Sequence, residues 1–262
     1  MSLAIEIEKL GSDFWNWRTL QQPRSHDDIP RLERVANWKP AWSQSDVAKY
    51  RTEIKDFENR WRALDVGTST SLKVDKASWI DHQLIGTAIH RVYWELDYIK
   101  IWQEQPRFYI DQTIGVLFDL LLPLKITEKE VKEAIFVLGN TKEILDHGRA
   151  NLEGNSVGPY ATVAIELLEN IEEQITTTVN ELGKLVGDSL AAELKSAAAP
   201  AITAFVDFRE WLKKNLDSME PIKAIGKEKY QWFFNNIALV PFSTSELRLI
   251  GEIEWDRAVT LE

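Results

Sequence analysis

Ile85-Gly86-Thr87-Ala88-Ile89-His90-Arg91-Val92-Tyr93-Trp94-Glu95-Leu96-Asp97-Tyr98-Ile99 is the stretch that decides the fold class. Ile85, Ile89, Val92, Leu96 and Ile99 recur at four-three-four-three spacing, so they share one face of an α-helix. Leu84, Ala88, Tyr98 and Trp102 add a second stripe, in which Arg91 and Glu95 lie four apart. The pattern predicts a helix from about Lys76 to Glu104, on the order of 40 Å long at 1.5 Å per residue. Pro106 ends it. Apolar residues on most of its sides predict a central position, with Arg91 and Glu95 forming a buried pair that specifies packing more than it stabilises.

Working outward, the same periodicity recurs. A helix is expected from Leu3 to Leu20, followed by a non-helical stretch in which Pro23 and Pro30 bracket Ser25, His26, Asp27 and Asp28. Ser43, with Asp46 three residues on, caps a second helix that reaches Leu64. Gly67-Thr68-Ser69-Thr70-Ser71 is the most linker-like segment. Beyond the long helix, one is expected from Phe108 to Leu122. Thr127-Glu128-Lys129-Glu130 is a capping box that opens another, ending at Gly139 or Gly148. Further helices are expected from Tyr160 to Val186 and from Leu190 to Leu216, with Pro200 kinking or breaking the second. Another carries Tyr230, Trp232 and Phe233, and a last one starts at Ser243-Thr244-Ser245-Glu246.

No period-two run is long enough for a strand. The expectation is an all-α, elongated bundle of about eight or nine mostly antiparallel helices. It divides into an amino-terminal subdomain, 1–66, holding the proline-bracketed loop and a main bundle, 72–262, or forms one continuous domain. The last helix carries Leu247, Ile250, Ile253 and Trp255 but has no glycine, asparagine or proline stop signal. It therefore reads as cut short, with an exposed apolar patch that a neighbouring copy would fill.

Composition limits the chemistry. Of 262 residues, 44% are apolar and 27% charged, the balance of a soluble globular protein. The absence of cysteine excludes disulfides, thiolate zinc sites, iron–sulfur clusters and a cysteine nucleophile. A net charge of −10 opposes nucleic-acid binding, which needs a concentrated basic surface. Glu6, Glu8 and Asp13 interrupt any signal peptide. The longest apolar stretch, Ile114 to Leu124, contains Asp119 and is too short for a bilayer, so no membrane partner is expected. A cytoplasmic protein is the expectation, a lost leader being the alternative.

The four histidines are His26, His82, His90 and His147, and no two lie four apart as a zinc-peptidase helix requires. Pro23, Trp79, Thr87 and Ile144 stand three before them, so the Glu-x-x-His pairs of a di-iron bundle are missing too. His82 and His90 read as packed or capping side chains. His147, before Gly148, reads as a group facing helix-terminal carbonyls. His26 with Asp27 or Asp28 is a conceivable dyad that turn chemistry explains equally well. Glu166, Glu169, Glu172 and Glu173 read as a solvated face rather than metal ligands. The eleven tryptophans fill gaps between helices or line an aromatic substrate channel. No catalytic, cofactor-binding or metal-ligating residue is assigned.

Ser25-His26-Asp27-Asp28-Ile29-Pro30-Arg31, Arg91-Val92-Tyr93-Trp94-Glu95-Leu96 and Gln105-Pro106-Arg107-Phe108-Tyr109-Ile110-Asp111-Gln112-Thr113 resemble a bacterial family named only as a domain of unknown function (DUF-885). The run from Phe205 to Leu212, Gly226-Lys227-Glu228-Lys229-Tyr230 and Leu239-Val240-Pro241-Phe242 continue the likeness in the same order. Members of that family are longer and look like helical, zincin-type metallopeptidases whose His-Glu zinc motif follows the segment matched here. The resemblance therefore implies a non-catalytic amino-terminal half that forms one wall of a substrate cleft. Its zinc and its partner, the catalytic carboxyl-terminal half, would lie beyond this sequence. The alternative is a stand-alone helical module that binds a peptide or partner helix through an aromatic surface.

Overall fold

The computed structural model describes residues 2–24, 35–122 and 125–261. The all-α expectation holds: among the described residues the only sheet is one two-stranded hairpin. The helices are α1 (Leu3–Gln21), α2 (Gln44–Ala63), α3 (Lys76–Tyr93), α4 (Ile101–Glu104), α5 (Arg107–Ile110), α6 (Val116–Leu121), α7 (Glu128–Leu152), α8 (Gly158–Leu167), α9 (Ile171–Gly183), α10 (Asp188–Asn215), α11 (Lys227–Asn236) and α12 (Thr244–Leu261). The linker-like segment is the tip of the hairpin, where β1 (Gly67–Thr68) pairs antiparallel with β2 (Ser71–Leu72).

The chain forms two compact units. Unit 1 comprises Met1–Phe14, Arg51–Lys100 and Lys223–Glu262; unit 2 comprises Trp15–Tyr50 and Ile101–Ile222. In unit 1, Ile7, Leu10, Ile54, Ile89, Val92 and Leu96 are buried, and Phe14 meets Phe57 edge-on at 5.5 Å. A Cβ on Gly86 would lie 2.6 Å from the Trp61 ring, so this helical glycine is a seat for the indole.

Unit 2 is built on α7 and α10. Val131, Ala134, Leu138, Ile144, Leu145 and Leu152 of α7 are buried, as are Leu194, Ala201, Phe205, Phe208 and Leu212 of α10. The capping box at Thr127 is present, with the Glu130 carboxylate accepting the Thr127 N–H at 2.8 Å. Ser43 caps α2 as expected: its Oγ accepts the Asp46 N–H at 3.1 Å and Asp46 accepts the Ser43 N–H at 3.0 Å.

Four expectations need correction. The helix expected to end at Gly139 or Gly148 runs to Leu152, because Gly148 serves packing rather than termination. A Cβ there would lie 2.7 Å from the Tyr109 ring. The helix expected from Tyr160 to Val186 breaks between Leu167 and Ile171, where Arg209 Nη1 donates to the carbonyls of Leu168 (2.9 Å) and Glu169 (3.0 Å). Conversely, Pro200 does not break α10, which continues through it. Its exposed position leaves the carbonyl one turn earlier, on exposed Ser196, able to bond to water. Finally, the helix expected to reach Glu104 stops at Tyr98. A five-residue π-helical turn, Trp94–Tyr98, follows α3, and Lys100 then takes a positive φ of 44°.

Candidate functional site

That π turn organises the most distinctive surface of unit 1. Ile99 N–H donates to the Trp94 carbonyl at 3.0 Å, closing the wide ring. π turns inside helices frequently mark functional positions. Here the turn sets Trp94 and Tyr98 with their rings near-parallel, 5.7 Å apart and 19° inclined. Trp232 of α11 adds a third near-parallel ring, 4.4 Å from Tyr98 and 6.3 Å from Trp94. Phe233 lies 4.9 Å from Trp94. Lys229 Nζ donates to the Tyr98 carbonyl at 3.2 Å, fastening α11 to the turn. Trp94, Tyr98, Trp232 and Phe233 are all half-buried, so part of this aromatic surface faces solvent.

The inner end of the surface is made of histidines. His90 meets Trp232 edge-on at 5.7 Å and Trp61 at 5.3 Å, and its Nδ1 donates to the Asn236 carbonyl at 3.3 Å. Trp61 in turn stacks on His82 at 5.1 Å. His82 Nε2 donates to the Trp61 carbonyl (3.1 Å), while Trp61 Nε1 donates to the His82 carbonyl (2.9 Å). Each carbonyl needs a donor, and this fixes the protonated nitrogen of both rings. Burial pushes both imidazoles below their ordinary range. For His90, the Asn236 bond and the Glu58 charge oppose that shift without cancelling it.

Glu58 is the one buried carboxylate among the described residues of unit 1. Burial alone would raise its pKa. Hydrogen bonds from Lys55 (2.9 Å), Arg62 (2.6 Å) and the Tyr93 hydroxyl (3.0 Å) outweigh burial and hold it at about 2. Tyr93 is pushed upward by burial and by that bond, so it stays a neutral donor. Within this cluster Glu58 is a fixed anion rather than a proton carrier at neutral pH.

A pH dependence follows from these shifts. The two histidines are neutral in the fold, so their contribution is fully present above the ordinary imidazole value, about 6.5, and erodes as pH falls below it. Glu58 holds its contribution above about 4.5 and loses it as pH falls towards about 2. Unit 1 is thus expected to weaken with acid first through the histidines and then through Glu58. Denaturant unfolding between pH 8 and 3 checks this. In His90→Phe the slope just below pH 6.5 should be shallower; an unchanged slope would remove His90 from the account.

Other residues singled out in the sequence fall as follows. His82 and His90 are packed side chains, brought onto one surface through Trp61. His147 lies inside α7, five residues before its end, and so faces no terminal carbonyls. Arg91 and Glu95 do pair, at 3.6 Å, but Arg91 is 53% exposed, so the pair is not buried. Glu95, at 14%, is the more buried partner, and the exposure comes from the Arg91 side chain on α3. Glu166, Glu169, Glu172 and Glu173 belong to two helical segments and their connection, and all four are exposed, as a solvated face requires. His26, Asp27 and Asp28 lie outside the described residues. Sequence reasoning missed Glu58 and Tyr93, although Lys55, Glu58 and Arg62 stand at the three- and four-residue spacings that bring side chains together on a helix. It also missed the π turn, which has no local signal.

Among the described residues no group of three metal-ligating side chains comes together, and no helix is long and apolar enough to cross a membrane. Comparison with protein-family models, with curated proteins and with solved structures finds no significant match to this chain.

Proposed function

We propose that this chain is a helical interaction module that binds a peptide or a partner helix through the aromatic surface of unit 1. The observation that carries the reading is the half-exposed set of near-parallel rings, Trp94, Tyr98 and Trp232. Flat, rigid rings give much contact area at small entropic cost. They are held from behind by the His90–Trp61–His82 group, so the surface is pre-formed. Titrating amphipathic and extended twelve-residue peptides while following indole N–H resonances tests it. Shifts should centre on Trp94 and Trp232, and Trp232→Ala should weaken binding about tenfold or more. Shifts that spare both indoles would sink the reading.

A second reading keeps the same surface as one wall of the substrate cleft of a zinc-dependent peptidase, to which this chain contributes no catalysis. It is favoured by the family-like motifs Arg91 to Leu96 and Gly226 to Tyr230, which supply Trp94 and the start of α11. The zinc would be held by residues outside this chain. A reading frame continuing into a His-Glu motif would support it. Peptide hydrolysis by the purified chain after exhaustive chelation would rule it out.

A further inference from the structure

The aromatic surface leaves α12 unexplained. Every residue from Arg248 to Leu261 is exposed, including Leu249 at 56%, Ile250 at 41% and Ile253 at 50%. Glu246, Ile250, Ile253 and Arg257 follow one another at four-three-four spacing, so they form a single stripe along the helix. The stripe reads acidic, apolar, apolar, basic, and it is its own complement when reversed. Laid antiparallel on a second copy about the midpoint between Gly251 and Glu252, it sets Ile250 against the facing Ile253 and Glu246 against the facing Arg257. The two-fold axis repeats each pair. A parallel alignment would instead set Glu246 on Glu246 and Arg257 on Arg257, which repel. Antiparallel helices also place opposite dipole ends together.

We propose that α12 is a self-association helix that pairs antiparallel with α12 of a second copy through this stripe. The charged ends remain available for it. Arg257 is 69% exposed while paired with Glu254 at 2.7 Å, and Glu246 uses Oε2 to accept the Ser243 N–H at 2.7 Å. An 18-residue helix is about 27 Å long. One such seam buries less than a standard interface of about 1,600 Å², so the dimer is weak and reversible, with a dissociation constant of about 10–100 μM.

Sedimentation velocity of the full chain across that range tests the pairing. A shift from monomer to dimer is expected, and monomer throughout overturns the proposal. Arg257→Glu should weaken association about tenfold, because two attractive pairs become repulsive. Ile250→Asp should abolish it while circular dichroism stays unchanged, since position 250 is exposed. Association that survives Ile250→Asp places the contact elsewhere and also overturns the proposal. The chain contains no cysteine, so orientation is read from introduced ones. An oxidised mixture of Ile250→Cys and Ile253→Cys proteins should form the mixed disulfide in preference to either homodimer. Homodimers in excess would mean a different alignment and would overturn the antiparallel seam. Peptide titrations report on Trp94 and Trp232, so loss of this dimer and loss of the proposed binding surface are read separately.

Discussion

Gly148→Ala is expected to destabilise unit 2 by about 2–3 kcal/mol. The new Cβ would lie 2.7 Å from Tyr109, a ring with 0% exposure that has nowhere to retreat. The Tyr109 hydroxyl donates to the Trp102 carbonyl at 2.6 Å and accepts from Asn151 Nδ2 at 2.8 Å, so displacing the ring also strains two buried hydrogen bonds. The control lies on the same helix. A Cβ on Gly139 meets nothing within 4 Å, so Gly139→Ala should stabilise by up to about 1 kcal/mol through helix propensity. Denaturant unfolding of both variants gives the comparison. Equal effects at the two positions would show that the Tyr109 seat does not set the cost.

Trp61→Ala is the second large effect, at about 3 kcal/mol. The indole fills the space above Gly86, stacks on His82 and meets His90 edge-on. Its removal also takes away the donor to the His82 carbonyl. Water reaching the vacated space should let His90 titrate closer to an ordinary imidazole, because burial is what depresses it. Histidine ring resonances followed against pH check this directly. Trp61→Phe retains most of the apolar volume and should fall between the two. A His90 that titrates identically in wild type and Trp61→Ala would mean that Trp61 is not what shields it.

The helices themselves were legible because their signals are local. The capping box at Thr127, the Ser43–Asp46 cap and the four-three spacing of Ile85 to Leu96 involve residues within a few positions of one another. The interruptions were not legible, because distant residues make them. Glu169-Asn170 breaks a periodic pattern, with Arg209 some forty residues later donating to the carbonyls of Leu168 and Glu169. Glycine misled in the opposite sense at Gly148: a stop signal in one dimension is a contact with Tyr109 in three. Pro200 does not break its helix, because the cost of a proline depends on whether the preceding turn faces water. The tryptophans were countable as candidates for an aromatic surface. Which of them converge depended on the π turn and on α11, and neither could be placed from spacing.

The segmented make-up of unit 1 has a consequence for synthesis. The bond between His90 and Asn236 spans 146 residues, and that between Lys229 and Tyr98 spans 131. At translation rates of about 5–20 residues per second, the first span takes roughly 7–30 s to emerge. Over that interval Trp94, Tyr98 and His90 are already made while α11, which covers one side of them, does not yet exist. Most of unit 2, by contrast, comes from one uninterrupted run, Ile101–Ile222. On the ribosome, unit 2 can therefore complete its core first, leaving the aromatic surface of unit 1 uncovered and open to chaperones until α11 emerges.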